Sequence, residues 1–177
     1  MIAQFDTFEI NPIHSGDAWK LCDFIIANQD RLQRYFPKTI AQNLTPTLSE
    51  IFVNKKDKQF KNKEEFLFTL KHIQTREIAG IIYIKDLDWS TNQGEFAYCI
   101  GYTFKGKGII TKAIKFLIEY AFTELHLKTL KIIVHNTNRS SIKVAKTNGF
   151  KWIKTLKNEF TPIDENPLNM ELYKLFK

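Results

Sequence analysis

Two of the seven glycines in this chain stand in Lys105-Gly106-Lys107-Gly108. The segment follows a strand-like stretch and opens a long amphipathic pattern. Residues without Cβ let the backbone come close to a ligand, and the first N–H groups of a helix have no partner inside it. The helix dipole adds partial positive charge at the same end. Together these features suit an anion such as phosphate or pyrophosphate, and Lys105 and Lys107 add full charges beside it. A strand-to-helix turn with no ligand is spelled the same way, so the glycines alone leave both readings open.

Neighbouring motifs exclude some chemistry. Gly101 to Gly108 (GYTFKGKG) follows the phosphate-loop pattern GxxxxGK[ST] up to its last position, where Gly108 replaces the hydroxyl that would hold Mg²⁺. The dinucleotide pattern GxGxxG fails because position 111 is Thr. The four histidines (His14, His72, His126 and His135) show no ligand spacing, and no metal is expected. Cys99, just ahead of the turn, reads as a small apolar filler.

The elements that must position the turn follow from periodicity. Residues 3–10 alternate apolar and polar as one strand would. Ser15-Gly16-Asp17 opens a helix ending near Asn28, with a short turn through Arg31–Phe36. Thr47 is expected to cap a second helix that fades into the charged, solvated stretch Lys55–Lys63. Three strands follow, EFLFTLKH, EIAGIIYIKDL and GEFAYCIGYTF, joined by hairpin-like breaks and so antiparallel. After the glycine turn, Ile110, Ala113, Ile114, Leu117, Ile118, Ala121 and Phe122 mark one helix face. LKTLKIIVH is a strand, and Ser140–Thr147 is a short helix closed by Asn148-Gly149. Phe150–Phe160 and Leu168–Phe176 are the last two strands. The fold class is α+β (mixed α/β), with about seven strands and about four helices in one domain spanning 1–177.

The 26 basic residues exceed the 19 acidic ones, but not evenly. Residues 1–100 hold 12 Lys/Arg and 13 Asp/Glu, whereas residues 101–177 hold 14 and 6. An anionic partner is therefore expected on the second part. Nucleic acid is disfavoured, because basic and aromatic residues are not interleaved in a stacking motif. Two cysteines are too few for a disulfide framework, no apolar run reaches the ~18–20 residues of a membrane span, and the N-terminus lacks a signal-peptide pattern. A cytoplasmic protein with no membrane partner, monomeric or dimeric, is expected.

Lys105-Gly106-Lys107-Gly108-Ile109-Ile110 resembles, loosely, the [Q/R]-x-x-G-x-[G/A] turn of the GNAT superfamily of acyl-CoA-dependent N-acetyltransferases. Asn138-Arg139-Ser140-Ser141, followed after seven residues by Gly149-Phe150, looks like that superfamily's N-x-x-S…GF segment. Glu95-Phe96-Ala97-Tyr98 is similar to the E-[IL]-G-Y strand of the ribosomal-protein (alanine/serine) branch, and Asn166 to Tyr173 resembles its closing strand. The resemblance covers roughly residues 3–176 and implies a mostly antiparallel, twisted sheet flanked by helices.

The resemblance also implies a set of roles. Acetyl-CoA would be the co-substrate, its pyrophosphate held by backbone N–H groups from Lys105, Gly106, Lys107, Gly108, Ile109 and Ile110. Its pantetheine arm would run beside Tyr98, Cys99 and Ile100 and touch Asn138. A backbone N–H such as that of Ile100 would polarise the thioester carbonyl. Glu95 is the first candidate for the general base and Glu159 the second. Ser141 would protonate the leaving thiolate, with Tyr173 as an alternative, although Ser141 and Asn138 also suit plain helix capping. Trp19, Tyr35, Phe36 and Trp89 are candidates to line the acceptor groove. The acceptor is a peptide or protein N-terminal amine, or else a small amine such as a polyamine, amino sugar or antibiotic. A non-catalytic acyl-CoA- or RNA-binding module is the reading of another class.

Overall fold

The backbone of Asp6 takes φ 48° and folds the first strand back on itself. Residues 3–10 are therefore not one strand but two, β1 (Ala3–Phe5) and β2 (Phe8–Pro12), antiparallel with Phe5 opposite Phe8. A period-two pattern cannot report a two-residue turn that keeps the alternation intact. The computed structural model describes residues 1–177.

The remaining elements are α1 (Ala18–Ala27), α2 (Gln29–Leu32), α3 (Pro37–Ala41), α4 (Pro46–Lys61), β3 (Phe66–His72), β4 (Ile78–Asp88) and β5 (Gln93–Ile100). After them come α5 (Ile109–Thr123), β6 (Thr129–His135), α6 (Arg139–Thr147), β7 (Lys151–Phe160) and β8 (Leu168–Phe176). Eight strands and six helices thus replace the expected seven and four. The short helices α2 and α3 supply the difference around Arg31–Phe36. Thr45, not Thr47, caps α4 by accepting from the Leu48 N–H, and Pro46 takes the first helical position, where its missing N–H costs nothing. The charged stretch forms the end of this helix, which runs to Lys61.

The sheet order is β1-β2-β3-β4-β5-β6-β8-β7. The pairs β1–β2, β2–β3, β6–β8 and β7–β8 are antiparallel, and β5 runs parallel to β6. The chain divides into two compact units, residues 1–83 with 98–105 and residues 84–97 with 106–177.

In the first unit Leu21 and Ile25 of α1, Val53 of α4, and Leu67, Phe68 and Leu70 of β3 are fully buried. Each such side chain contributes about 1.5–3 kcal/mol of transfer free energy. Phe60 of α4 meets Phe66 and Phe68 edge-on at 4.9 and 5.4 Å. Lys71 breaks the apolar run of β3, yet it is only 2% exposed; its Nζ lies 2.5 Å from Asp17 Oδ1.

In the second unit Ala113, Ile114, Leu117 and Ala121 of α5 are fully buried, while Ile118 and Phe122 remain half-buried at the margin of that face. Leu130, Ile132 and Val134 alternate inward along β6, and Phe96 of β5 meets Phe150 at 6.4 Å.

Candidate functional site

Gly106 and Gly108 both adopt left-handed backbone, with φ 78° and 72°. A Cβ at either position would meet nothing within 4 Å, so conformation calls for glycine here, and the backbone lies open on that side. Gly108 caps α5 without any side-chain acceptor. The first helical hydrogen bond of α5 runs from Lys112 N to the Gly108 carbonyl at 3.1 Å. The N–H groups of Ile109, Ile110 and Thr111 therefore precede the ladder. Ile109 and Ile110 bury their side chains, which leaves the backbone as their contribution to the turn. Lys105 and Lys107 are exposed.

Asn138 caps α6: its Oδ1 accepts from the Ser141 N–H at 3.2 Å and from Ser140 Oγ at 3.0 Å. Ser141 is half-buried in the first turn. At the other end of α6, Asn148 Nδ2 donates to the Thr111 carbonyl at 3.1 Å. That bond ties α6 to the first turn of α5, so the second signature segment and residues 106–110 of the first are held together within one unit. Sequence reasoning read Asn148 only as a helix stop.

Glu95 stands on β5 opposite Lys131 of β6, which in turn stands opposite Lys174 of β8. Its Oε1 lies 3.0 Å from Lys85 Nζ, and its side chain is 14% exposed. Burial raises the Glu95 carboxyl above the ordinary carboxylate range, against the lowering effect of Lys85. Burial works to lower Lys85, but Glu95 and Asp86 together hold it above its usual value. Lys85 was not singled out from sequence; no local pattern reports a partner on a neighbouring strand.

The next residue, Phe96, pairs with Ile132, which stands opposite Tyr173. Successive residues of a strand point to opposite faces, so Tyr173 and Glu95 lie on opposite sides of the sheet. Tyr173 is 5% exposed, and burial, then Glu171, raise its phenol. Glu159 is exposed on β7, at the edge of the sheet.

The end of β5 belongs to the first unit. Tyr98, Cys99 and Ile100 are half-buried. Burial pushes the Cys99 thiol up to about 12, against smaller opposing effects of the Ile81 N–H and the Arg31 guanidinium, so it stays protonated at neutral pH. Gly80 permits the close approach of β5, since a Cβ there would lie 2.6 Å from the Cys99 carbonyl oxygen. Three hydrogen bonds then fix the chain as it leaves the strand. Arg31 Nη1 donates to the Ile100 carbonyl at 2.9 Å, Gly101 N to the Ala79 carbonyl at 2.7 Å, and Tyr102 N to Asn28 Oδ1 at 2.8 Å. Neither Arg31 nor Asn28 was a sequence candidate, because each acts 69 or more positions away along the chain.

Of the aromatic residues considered for an acceptor groove, Trp19 is 70% exposed. Phe36 stacks on Tyr83 at 6.5 Å. No group of three or more His, Cys, Asp or Glu is arranged to hold a metal ion, and no helix is long and apolar enough to cross a membrane.

Comparison with known proteins gives these features a context. The model of the Acetyltransferase (GNAT) domain family matches residues 8–151. A Bacillus subtilis (strain 168) protein, YdaF, provisionally named a ribosomal N-acetyltransferase, is 31% identical over 141 residues, covering 80% of this chain and 76% of its own. The spermidine N(1)-acetyltransferase of Escherichia coli (strain K12) is 32% identical over 84 residues, 48% of this chain and 45% of its own. A ribosomal L7/L12 α-N-protein acetyltransferase, solved in complex with coenzyme A, superimposes with a TM-score of 0.89 at 15% identity, covering 99% of this chain and 97% of that one. At that identity the likeness concerns the fold.

Proposed function

This chain belongs to the GNAT acetyltransferase family, and on that premise we propose that it moves an acetyl group from acetyl-CoA to the α-amine of a protein or peptide N-terminus. The observation that carries the reading is the turn at Gly106–Gly108. Its open backbone, unladdered N–H groups and flanking lysines fit a pyrophosphate. When bound, acetyl-CoA supplies an acyl thioester whose carbonyl carbon an amine can attack.

The chain's own residues divide the remaining work. The Lys105 N–H, expected to share in this, donates instead to the Tyr102 carbonyl at 3.3 Å, so the backbone N–H groups from Gly106 through Ile110 hold the pyrophosphate, with Lys105 and Lys107 adding charge. The edge of β5 from Tyr98 through Cys99 to Ile100 holds the pantetheine arm, and Asn138 assists it. The Ile100 N–H polarises the thioester carbonyl. Glu95, five strand residues from Ile100, accepts the proton of the attacking amine through intervening water, a task helped by a carboxyl that burial has already made more basic. Glu159 is the second candidate for that task. The Ser141 hydroxyl supplies a proton to the departing sulfur.

An α-amine has a pKa near ~7.7–8.0 against ~10.4 for a lysine side chain, so it asks less of one carboxylate. The ribosomal naming of YdaF supports the same acceptor. Such an acceptor belongs to the cytoplasm, the compartment that the sparse cysteines also favour. The spermidine enzyme supports a second reading, a polyamine acceptor.

The test combines two measurements: melting-temperature shift with acetyl-CoA, CoA and RNA, and thiol release with N-terminal peptides and with spermidine. Stabilisation by acetyl-CoA and release with peptides are expected. Stabilisation by RNA alone would overturn the enzyme reading, and release with spermidine alone would select the second acceptor.

A further inference from the structure

The guanidinium of Arg31 is half-buried and has no carboxylate partner. Elsewhere the fold treats such cations differently: Lys56 pairs with Glu65, Lys71 with Asp17 and Lys85 with Glu95. Arg31 instead donates from Nη1 to the Ile100 carbonyl, and its Cζ stands 5.4 Å from the centre of the Tyr102 ring. Asp30, its neighbour in sequence, is exposed and makes no ion pair with it. An arginine carries five N–H donors in a rigid fork and stays charged throughout the working pH range. One donor is used on Ile100. The cost of taking this charge partly out of water is offset by an aromatic face and a carbonyl dipole, but by no anion.

The position of that cation gives it a purpose. On the transferase reading above, which this inference rests on, the thioester carbonyl is polarised at Ile100. An attacking amine therefore arrives beside the residue that Arg31 grips, and groups a few bonds behind the amine come within reach of the fork. The phosphates of CoA have their own donors further along, from Gly106 to Ile110. We propose that Arg31 selects the acceptor by charge: the attacking amine belongs to a molecule bearing a carboxylate a few bonds away, such as a peptide with Asp or Glu behind its first residue. A polyamine presents only like charge to the same guanidinium. The cation acts on the amine as well, since a nearby positive charge favours the neutral, nucleophilic form.

The experiment measures thiol release from acetyl-CoA with four acceptors: peptides beginning Ser-Asp, Ser-Ser and Ser-Lys, and spermidine. Alongside it, calorimetry follows binding of the acetylated Ser-Asp and Ser-Ser products to the CoA-loaded protein, which requires no turnover. The Ser-Asp peptide is expected to lead Ser-Ser by about tenfold in kcat/KM and in product binding, the range of one charge-assisted hydrogen bond, with Ser-Lys and spermidine behind both. Arg31→Gln can still donate to the Ile100 carbonyl but carries no charge. It should abolish the lead of Ser-Asp while keeping melting temperature and acetyl-CoA affinity.

Equal or better use of spermidine or Ser-Lys by the wild-type protein would overturn the proposal and leave the transferase reading standing. An undiminished Ser-Asp preference in Arg31→Gln would do the same. If Arg31→Gln does not fold, the wild-type acceptor ranking decides alone. If acetyl-CoA neither stabilises the protein nor loses its thiol to any amine, the transferase reading itself falls, and this inference with it.

Discussion

Asn148 reaches from the end of α6 to the main-chain carbonyl of Thr111 at 3.1 Å while also holding the Val144 carbonyl of its own helix at 3.0 Å. One side-chain amide thus joins the first turn of α5, which opens at the glycine turn, to the helix that Asn138 caps and whose first turn holds Ser141. Asn148→Ala removes both bonds and leaves the Thr111 carbonyl to find water. It should cost about 1–2 kcal/mol in urea unfolding and weaken acetyl-CoA binding measurably by calorimetry. Unchanged affinity would show that the first turn of α5 keeps its place without this bond.

Gly108 has φ 72° and open space around its missing Cβ. A Gly108→Ala protein should therefore suffer backbone strain without a clash, roughly 1–2 kcal/mol. Its acetyl-CoA affinity should fall more than its stability does, because relaxing the strain re-aims the N–H groups that follow. Equal losses in the two measurements would make the turn a purely structural one.

Glu95 and Lys85 give a prediction about pH. Burial raises the Glu95 carboxyl, and in the role of base proposed for it the carboxyl must be deprotonated. The acid limb of kcat/KM should therefore lie above the ordinary carboxylate value of ~4.3, separate from the limb of the acceptor amine itself. Glu95→Gln should remove that limb and cut turnover with little change in acetyl-CoA affinity. Lys85→Met takes away a cation that lowers the Glu95 pKa, so the limb should move to higher pH. A limb that stays in place in both variants would assign the proton to another group.

Lys71 and Asp17 are each 2% exposed in their side chains and 2.5 Å apart. Asp17 Oδ2 also accepts from the His14 backbone N–H at 3.1 Å. Lys71→Met leaves a buried carboxylate without its cation and should cost about 3–5 kcal/mol, read as a fall in the urea midpoint. A loss below about 1 kcal/mol would mean that water reaches Asp17 in the variant.

Local features of the chain were readable in advance. The turn at Gly106–Gly108 and the caps at Asn138 and Gly149 depend on neighbours a few positions away, and the sequence spells those out. The strands β7 and β8 and the long apolar face of α5 likewise follow from period alone. What stayed hidden depends on tertiary distance. The hairpin at Asp6 hides inside an unbroken alternation, and the Lys85–Glu95 pair is set by the pairing of neighbouring strands. Arg31 and Asn28 bind main-chain atoms of residues 100 and 102, and main-chain acceptors carry no residue type to recognise. The opposite facing of Glu95 and Tyr173 needed the register of three strands.

The strand β7 has one further consequence. It ends the sheet order, and eight of its ten residues are exposed, Trp152 and Ile153 among them. Such a rim is a template onto which a strand from another molecule could add. Lys151, Lys154 and Lys157 recur along it at intervals of three, so side chains bearing ammonium groups fall on both faces of the ribbon. Register shifts between Trp152 and Lys154 and between Leu156 and Phe160, with Asn158 at φ 51°, keep the ladder from being straight. Part of the positive excess in the second half of the chain therefore lies along an open strand edge, where like charges oppose the addition of a second such edge whatever phosphate the protein binds.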